Sequence, residues 1–62
     1  MQNLVGKTYT FEDGDKLEVI QVKDRGEYFL VTYLAYTGPG IPRKLIMEAH
    51  EFMQQFGHLF DS

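Results

Sequence analysis

The chain has no cysteine, no tryptophan, only two prolines, and a single serine among its 62 residues, at position 62. Each scarcity excludes something. Without cysteine there is no disulfide framework and no zinc thiolate, which fits a reducing, cytoplasmic compartment. The chain offers acids and histidines but no serine or cysteine nucleophile near a base. No apolar run approaches the roughly 20 residues of a membrane helix. The opening Met1-Gln2-Asn3-Leu4-Val5-Gly6-Lys7 lacks the basic stretch and long apolar run of a secretory leader. Bases are few as well. Six Lys and Arg stand against nine Asp and Glu, a net charge of −3, which argues against indiscriminate nucleic-acid binding. All six bases lie in residues 1–44 with six acids, while Glu48, Glu51 and Asp61 follow with no base. One end of the chain is acidic, and a local basic patch elsewhere stays open.

Aromatics are plentiful by contrast, with four Tyr and five Phe. The length predicts one domain over 1–62, which buries only about 60% of the surface its unfolded form exposes. A net stability of roughly 3–5 kcal/mol is expected. Rings fill so small a core efficiently, because each buries a large area. The most apolar stretch, Glu27 to Tyr36, is rich in aromatic and β-branched residues and predicts a strand. Phe29, Val31, Tyr33 and Ala35 share one face; Tyr28, Leu30, Thr32, Leu34 and Tyr36 share the other. A strand apolar on both faces belongs in the middle of a sheet, and the chain is expected to wrap around it.

In chain order, Gly6 to Glu12 reads as a first strand and Asp13-Gly14-Asp15 as a turn. Lys16 to Lys23 is a second strand whose pattern slips. Leu17 and Val19 alternate, then Ile20 and Val22 take the other parity, which predicts a bulge or sharp bend. Asp24-Arg25-Gly26 closes a hairpin into the central strand. Pro39-Gly40 has the chemistry of a type II turn, and Pro42 holds Ile41 extended. Two readings compete beyond Pro42. Leu45, Ile46, Ala49, Phe52, Met53 and Phe56 fit one face of a single helix. That helix would place Arg43 and Lys44 at the positive end of its dipole, where cations are disfavoured. The preferred reading is a strand over Arg43–Met47 and a short helix over Ala49–Phe56. Gly57 is then its left-handed cap, and His58-Leu59-Phe60 a fifth strand. The expected fold is mainly β, a small Src-homology-3-like barrel of about five strands with one short C-terminal helix before the last strand.

The opening Leu4-Val5-Gly6-Lys7-Thr8-Tyr9-Thr10-Phe11, the block Gly38-Pro39-Gly40-Ile41-Pro42-Arg43-Lys44-Leu45 and the ending Phe56-Gly57-His58-Leu59-Phe60 carry a resemblance. With its length, the chain resembles the small hyper-conserved protein of marine picocyanobacteria. The resemblance covers the whole chain. It implies a Tudor-type, Src-homology-3-like barrel and a connection to the translation machinery, and it assigns no catalytic residue.

Candidate site residues follow from chemistry. Tyr28, Tyr33 and Tyr36, with Phe29, offer either an aromatic pocket for a cationic side chain, a platform for unpaired bases, or simply a core. Phe29 and Tyr33 share the wholly apolar face and read as core. Tyr28 and Tyr36 flank Thr32 on the mixed face and suit a half-exposed interface. Arg43-Lys44 is the only adjacent basic pair, and Lys23 and Arg25 are expected to join it in a cationic patch near Tyr36. The plainer reading of these charges is a solvated edge that blocks strand pairing. His50 and His58 lack the further ligands that zinc requires. Phe52, Met53, Phe56, Leu59 and Phe60 form a stripe that either seals the barrel or faces a partner. The sequence therefore predicts a non-enzymatic binding module with no cofactor, no small-molecule substrate and no membrane role. Its partners would be RNA or ribosomal and translation proteins, met through Tyr28, Tyr36, Arg43, Lys44 and Arg25. The alternative is a protein–protein adaptor or regulatory subunit without nucleic-acid contact, docking through its acidic, apolar tail.

Overall fold

The computed structural model describes residues 4–60, without the side chain of Phe60. Four strands run as a meander: β1 (Thr8–Thr10), β2 (Lys16–Asp24), β3 (Phe29–Tyr36) and β4 (Arg43–Glu48). They form one open antiparallel sheet in the order β1-β2-β3-β4, and helix α1 (Ala49–Phe60) follows β4 directly. The turns explain the meander. Gly14 and Gly26 adopt φ of +95° and +94°, a left-handed region that suits glycine. Each reversal is braced by an aspartate: Asp15 N–H donates to Asp13 Oδ1 at 3.0 Å, and Gly26 N–H to Asp24 Oδ1 at 2.8 Å.

The strand apolar on both faces does lie between β2 and β4, as its composition requires. Its register pairs Leu17 with Ala35 and Val19 with Tyr33, then shifts so that Gln21 meets Thr32 and Val22 meets Val31. Ile20 is the extra residue and stands exposed. The bulge returns Val22 to the face of Leu17 and Val19, which is why the sequence pattern changes parity there. Gly6 and Lys7 extend the pairing beyond β1: Gly6 N–H donates to the Val19 carbonyl at 2.8 Å, and Val19 N–H to the Lys7 carbonyl at 3.0 Å.

The core lies between one face of the sheet and α1. Val19, Val31 and Phe52 are fully buried, with Leu4, Leu17, Tyr33 and Ala49 around them. Tyr33, Phe52 and Phe56 form a ring cluster with centroid separations of 5.2–6.0 Å in tilted or edge-on arrangements. Such pairs add about 0.5–1.5 kcal/mol each beyond their buried area. Burial also raises the pKa of the Tyr33 hydroxyl, since the phenolate would lose hydration.

The strand-then-helix reading of residues 43–56 holds, but the expected end of the chain is corrected. His58, Leu59 and Phe60 form the last turn of α1, not a fifth strand, and Gly57 is a buried residue inside the helix, not its cap. The periodicity decides the matter. Ala49, Phe52, Phe56 and Leu59 are spaced along one helical face, and all four join the core. A mid-helix glycine costs about 1 kcal/mol against alanine. Covering Leu59 returns a comparable or larger amount, on the order of 1–2 kcal/mol for a partly buried leucine. Asp61 and the side chain of Phe60, both in the expected acidic and apolar tail, lie outside the described residues.

Candidate functional site

β3 sets the distance between the candidate residues. Tyr36 ends the strand, while Tyr28 precedes its first residue. The seven steps from Phe29 to Tyr36 span roughly 23 Å at about 3.3 Å per residue. The five expected contact residues therefore fall into two groups.

At the Tyr36 end, β2 and β4 bring lysines to either side. Lys16 is the direct cross-strand partner of Tyr36, with its Nζ 4.5 Å from the ring centroid. Lys44 pairs with Leu34, so it shares the Tyr36 face one diagonal away. The Tyr36 hydroxyl donates to Glu18 Oε1 at 3.0 Å. That hydrogen bond, then desolvation and the carboxylate's charge, raises the hydroxyl's pKa and keeps it a neutral donor. Arg43 pairs with Ala35, one position along, so Arg43 and Lys44 leave the edge strand on opposite faces. Both are exposed.

At the opposite end, Arg25 and Tyr28 belong to the β2–β3 hairpin, where Arg25 N–H donates to the Tyr28 carbonyl at 2.9 Å. Tyr28 is 43% exposed, so it is no part of the core. Lys23 pairs with Leu30 and lies at this end too. The single cationic patch near Tyr36 expected from Lys23, Arg25, Arg43 and Lys44 is thus not assembled. The antiparallel register carries the first two away from the second two.

Two features were missed in the linear sequence. The first is Lys16 as the cation over Tyr36, twenty positions away and paired only by the sheet register. The second is an open cavity of about 300 Å³ at the Tyr28 end. Glu27, Tyr28 and Phe29 of the hairpin meet Glu48, Ala49, His50 and Met53 of the β4–α1 junction there. The pairing of Leu30 with Glu48 brings these segments together.

Among the described residues no group of three or more His, Cys, Asp or Glu side chains is placed to hold a metal ion. No described helix is long and apolar enough to cross a membrane. Comparison with protein families, curated proteins and solved structures gives no match. The geometry alone carries the functional reading.

Proposed function

We propose that this protein is a small, non-enzymatic, cytoplasmic binding module that contacts RNA or ribosomal and translation proteins. The observation that carries the reading is the row Lys16–Tyr36–Lys44 on the outer sheet face, with Arg43 at the adjoining edge. Cations interleaved with an aromatic ring are the footprint of RNA contact, where ammonium groups meet phosphates and a ring meets a base. The resemblance to the small hyper-conserved protein of marine picocyanobacteria points the same way and is part of the proposal. So is the finer fold assignment, a Src-homology-3-like or Tudor-type barrel variant with α1 in place of the closing strand. The four-strand meander and the bend at Ile20 support it.

Fluorescence anisotropy with a labelled single-stranded RNA tests the reading. Three cations on phosphates give a log–log salt slope of about −2, at roughly −0.7 per phosphate. Charge reversal by R43E and K44E together should remove most of the affinity. Binding indifferent to salt, or unchanged in that double variant, refutes it. A second reading, a protein–protein adaptor without nucleic-acid contact, is favoured by the acid-lined cavity at the far end of β3.

A further inference from the structure

We infer that the cavity between the β2–β3 hairpin and the β4–α1 junction receives an arginine side chain from a protein partner. This site lies at the opposite end of β3 from the proposed RNA face and does not depend on it.

The walls define the ligand. Phe29, Ala49 and Met53 supply apolar surface, and the half-exposed Tyr28 ring stands among them. Glu27 and Glu48 supply two carboxylates, both exposed, and neither has a hydrogen-bond or ion-pair partner among the described residues. Lys23 and Arg25 belong to the same hairpin yet do not line the cavity, and no lysine or arginine among the described residues does. An anion is repelled there, which removes phosphate and RNA as occupants. A neutral apolar group would strand both carboxylates against it. A cation with an apolar stem satisfies both demands.

Among cationic side chains the guanidinium fits best. Its planar fork of five donors serves two carboxylates at once, and its face stacks on an aromatic ring. Its three methylenes match the apolar wall, and the unbranched Met53 adapts to their shape. A lysine ammonium is a compact, strongly hydrated point charge with neither the fork nor the stacking face. The volume of about 300 Å³ is at the small end for ligand clefts, which suits one side chain rather than a whole metabolite. His50 also lines the cavity, and its Nε2 lies 3.3 Å from Gln54 Nε2. Gln54 therefore helps to fix the ring beside the entering group.

The test is a titration of the full, isotope-labelled chain with Nα-acetyl-arginine amide, followed by amide chemical shifts. The expected result is saturable shifts confined to 27–29 and 48–53, with no saturation by the citrulline analogue, which keeps the shape and lacks the charge. Removing one carboxylate (E27Q) should weaken binding by about 1.5- to 5-fold, the range for losing one solvent-exposed charge pair. Removing both (E27Q with E48Q) should weaken it further. E27Q lies outside the strands, so it answers the question even if E48Q disturbs the edge of β4. Equal binding of the citrulline analogue, unchanged binding in E27Q, or no saturable shift at 27–29 and 48–53 overturns the site. Equal binding of the lysine analogue overturns the assignment to arginine. A single-stranded RNA added to the same sample is expected to shift Lys16, Tyr36 and Lys44 and leave the cavity signals in place. RNA shifts centred on the cavity would overturn the inference.

Discussion

Replacing Gly57 with alanine separates the observed helix from the expected cap by the sign of one number. Within a helix, Gly→Ala gains roughly 0.8–1.0 kcal/mol of propensity, mostly by restricting the unfolded chain. A left-handed cap would reverse the sign, because a Cβ is strained at positive φ. Gly57 is absent from the positive-φ glycines, so the gain applies. One neighbour opposes it. A Cβ at Gly57 would sit 3.1 Å from Met53 Cε, with Met53 Cβ at 3.6 Å and Sδ at 3.8 Å. The tight atom is the end of an unbranched side chain that is 38% exposed, so it can yield by a few tenths of an ångström. Charging about 0.3–0.5 kcal/mol for that shift leaves a net stabilisation of about 0.5 kcal/mol. For a domain this small, the melting temperature rises by roughly 2–4 °C. Thermal and urea denaturation followed by far-ultraviolet circular dichroism measure it. Gly14→Ala is the control. No atom lies within 4 Å of a Cβ there, but φ is +95°, so only backbone strain acts and stability should fall by about 1 kcal/mol. A loss in G57A as large as in G14A would refute the helical placement, unless it disappears in an M53A background. In that case crowding by Met53, not φ, is the cause.

Two further outcomes follow from the core and the phenols. Phe52→Ala empties a fully buried site in the ring cluster and should cost about 3–5 kcal/mol, as much as the whole expected stability. Loss of the cooperative melt at 25 °C is expected, and retention of a sharp transition with under about 1.5 kcal/mol lost would refute the packing. Above pH 10, the ordinary tyrosine value, stability should fall. There the unfolded chain has released phenolic protons that Tyr33, through burial, and Tyr36, through its bond to Glu18, still hold. Tyrosinate absorbance should show a late-titrating component that loses one tyrosine's amplitude in Y36F, and Tyr33 and Tyr36 titrating at the ordinary value would refute it.

The parts of the fold legible in the sequence were those that a single element must satisfy by itself. Residues 29–36 are apolar on both faces, and only a central strand covers both. The slip from Leu17 and Val19 to Val22 needs one extra residue, and Ile20 supplies it. Arg43 and Lys44 are poor helix starters, and the chain is extended there. The error at the C-terminus came from a local rule that tertiary packing overrode. Gly after an apolar helical stripe usually ends the helix. Here the stripe resumes at Leu59, and a side chain that meets the core outweighs a glycine's propensity.

The candidate site was less legible, for a geometric reason. Proximity in an antiparallel meander is set by register and not by sequence distance, so the two ends of one strand meet different neighbours. Arg25 and Arg43 look like companions on the chain, each beside a turn. Yet the β2–β3 turn and the β3–β4 turn necessarily lie at opposite ends of β3. A patch drawn from both turns required β3 to be short, and it has eight residues. The same register brings distant residues together. Lys16 reaches Tyr36 because β2 and β3 pair without interruption on that side of the bulge, and Glu48 reaches the hairpin because Leu30 faces it. The consequence is a division of charge that composition hides. Lysines flank a tyrosine at one end, and at the other Glu27 and Glu48, whose carboxylates have no partner among the described residues, line a cavity with another tyrosine. The proposed RNA face and the proposed arginine site would then sit on one chain, with the length of β3 keeping anion and cation apart.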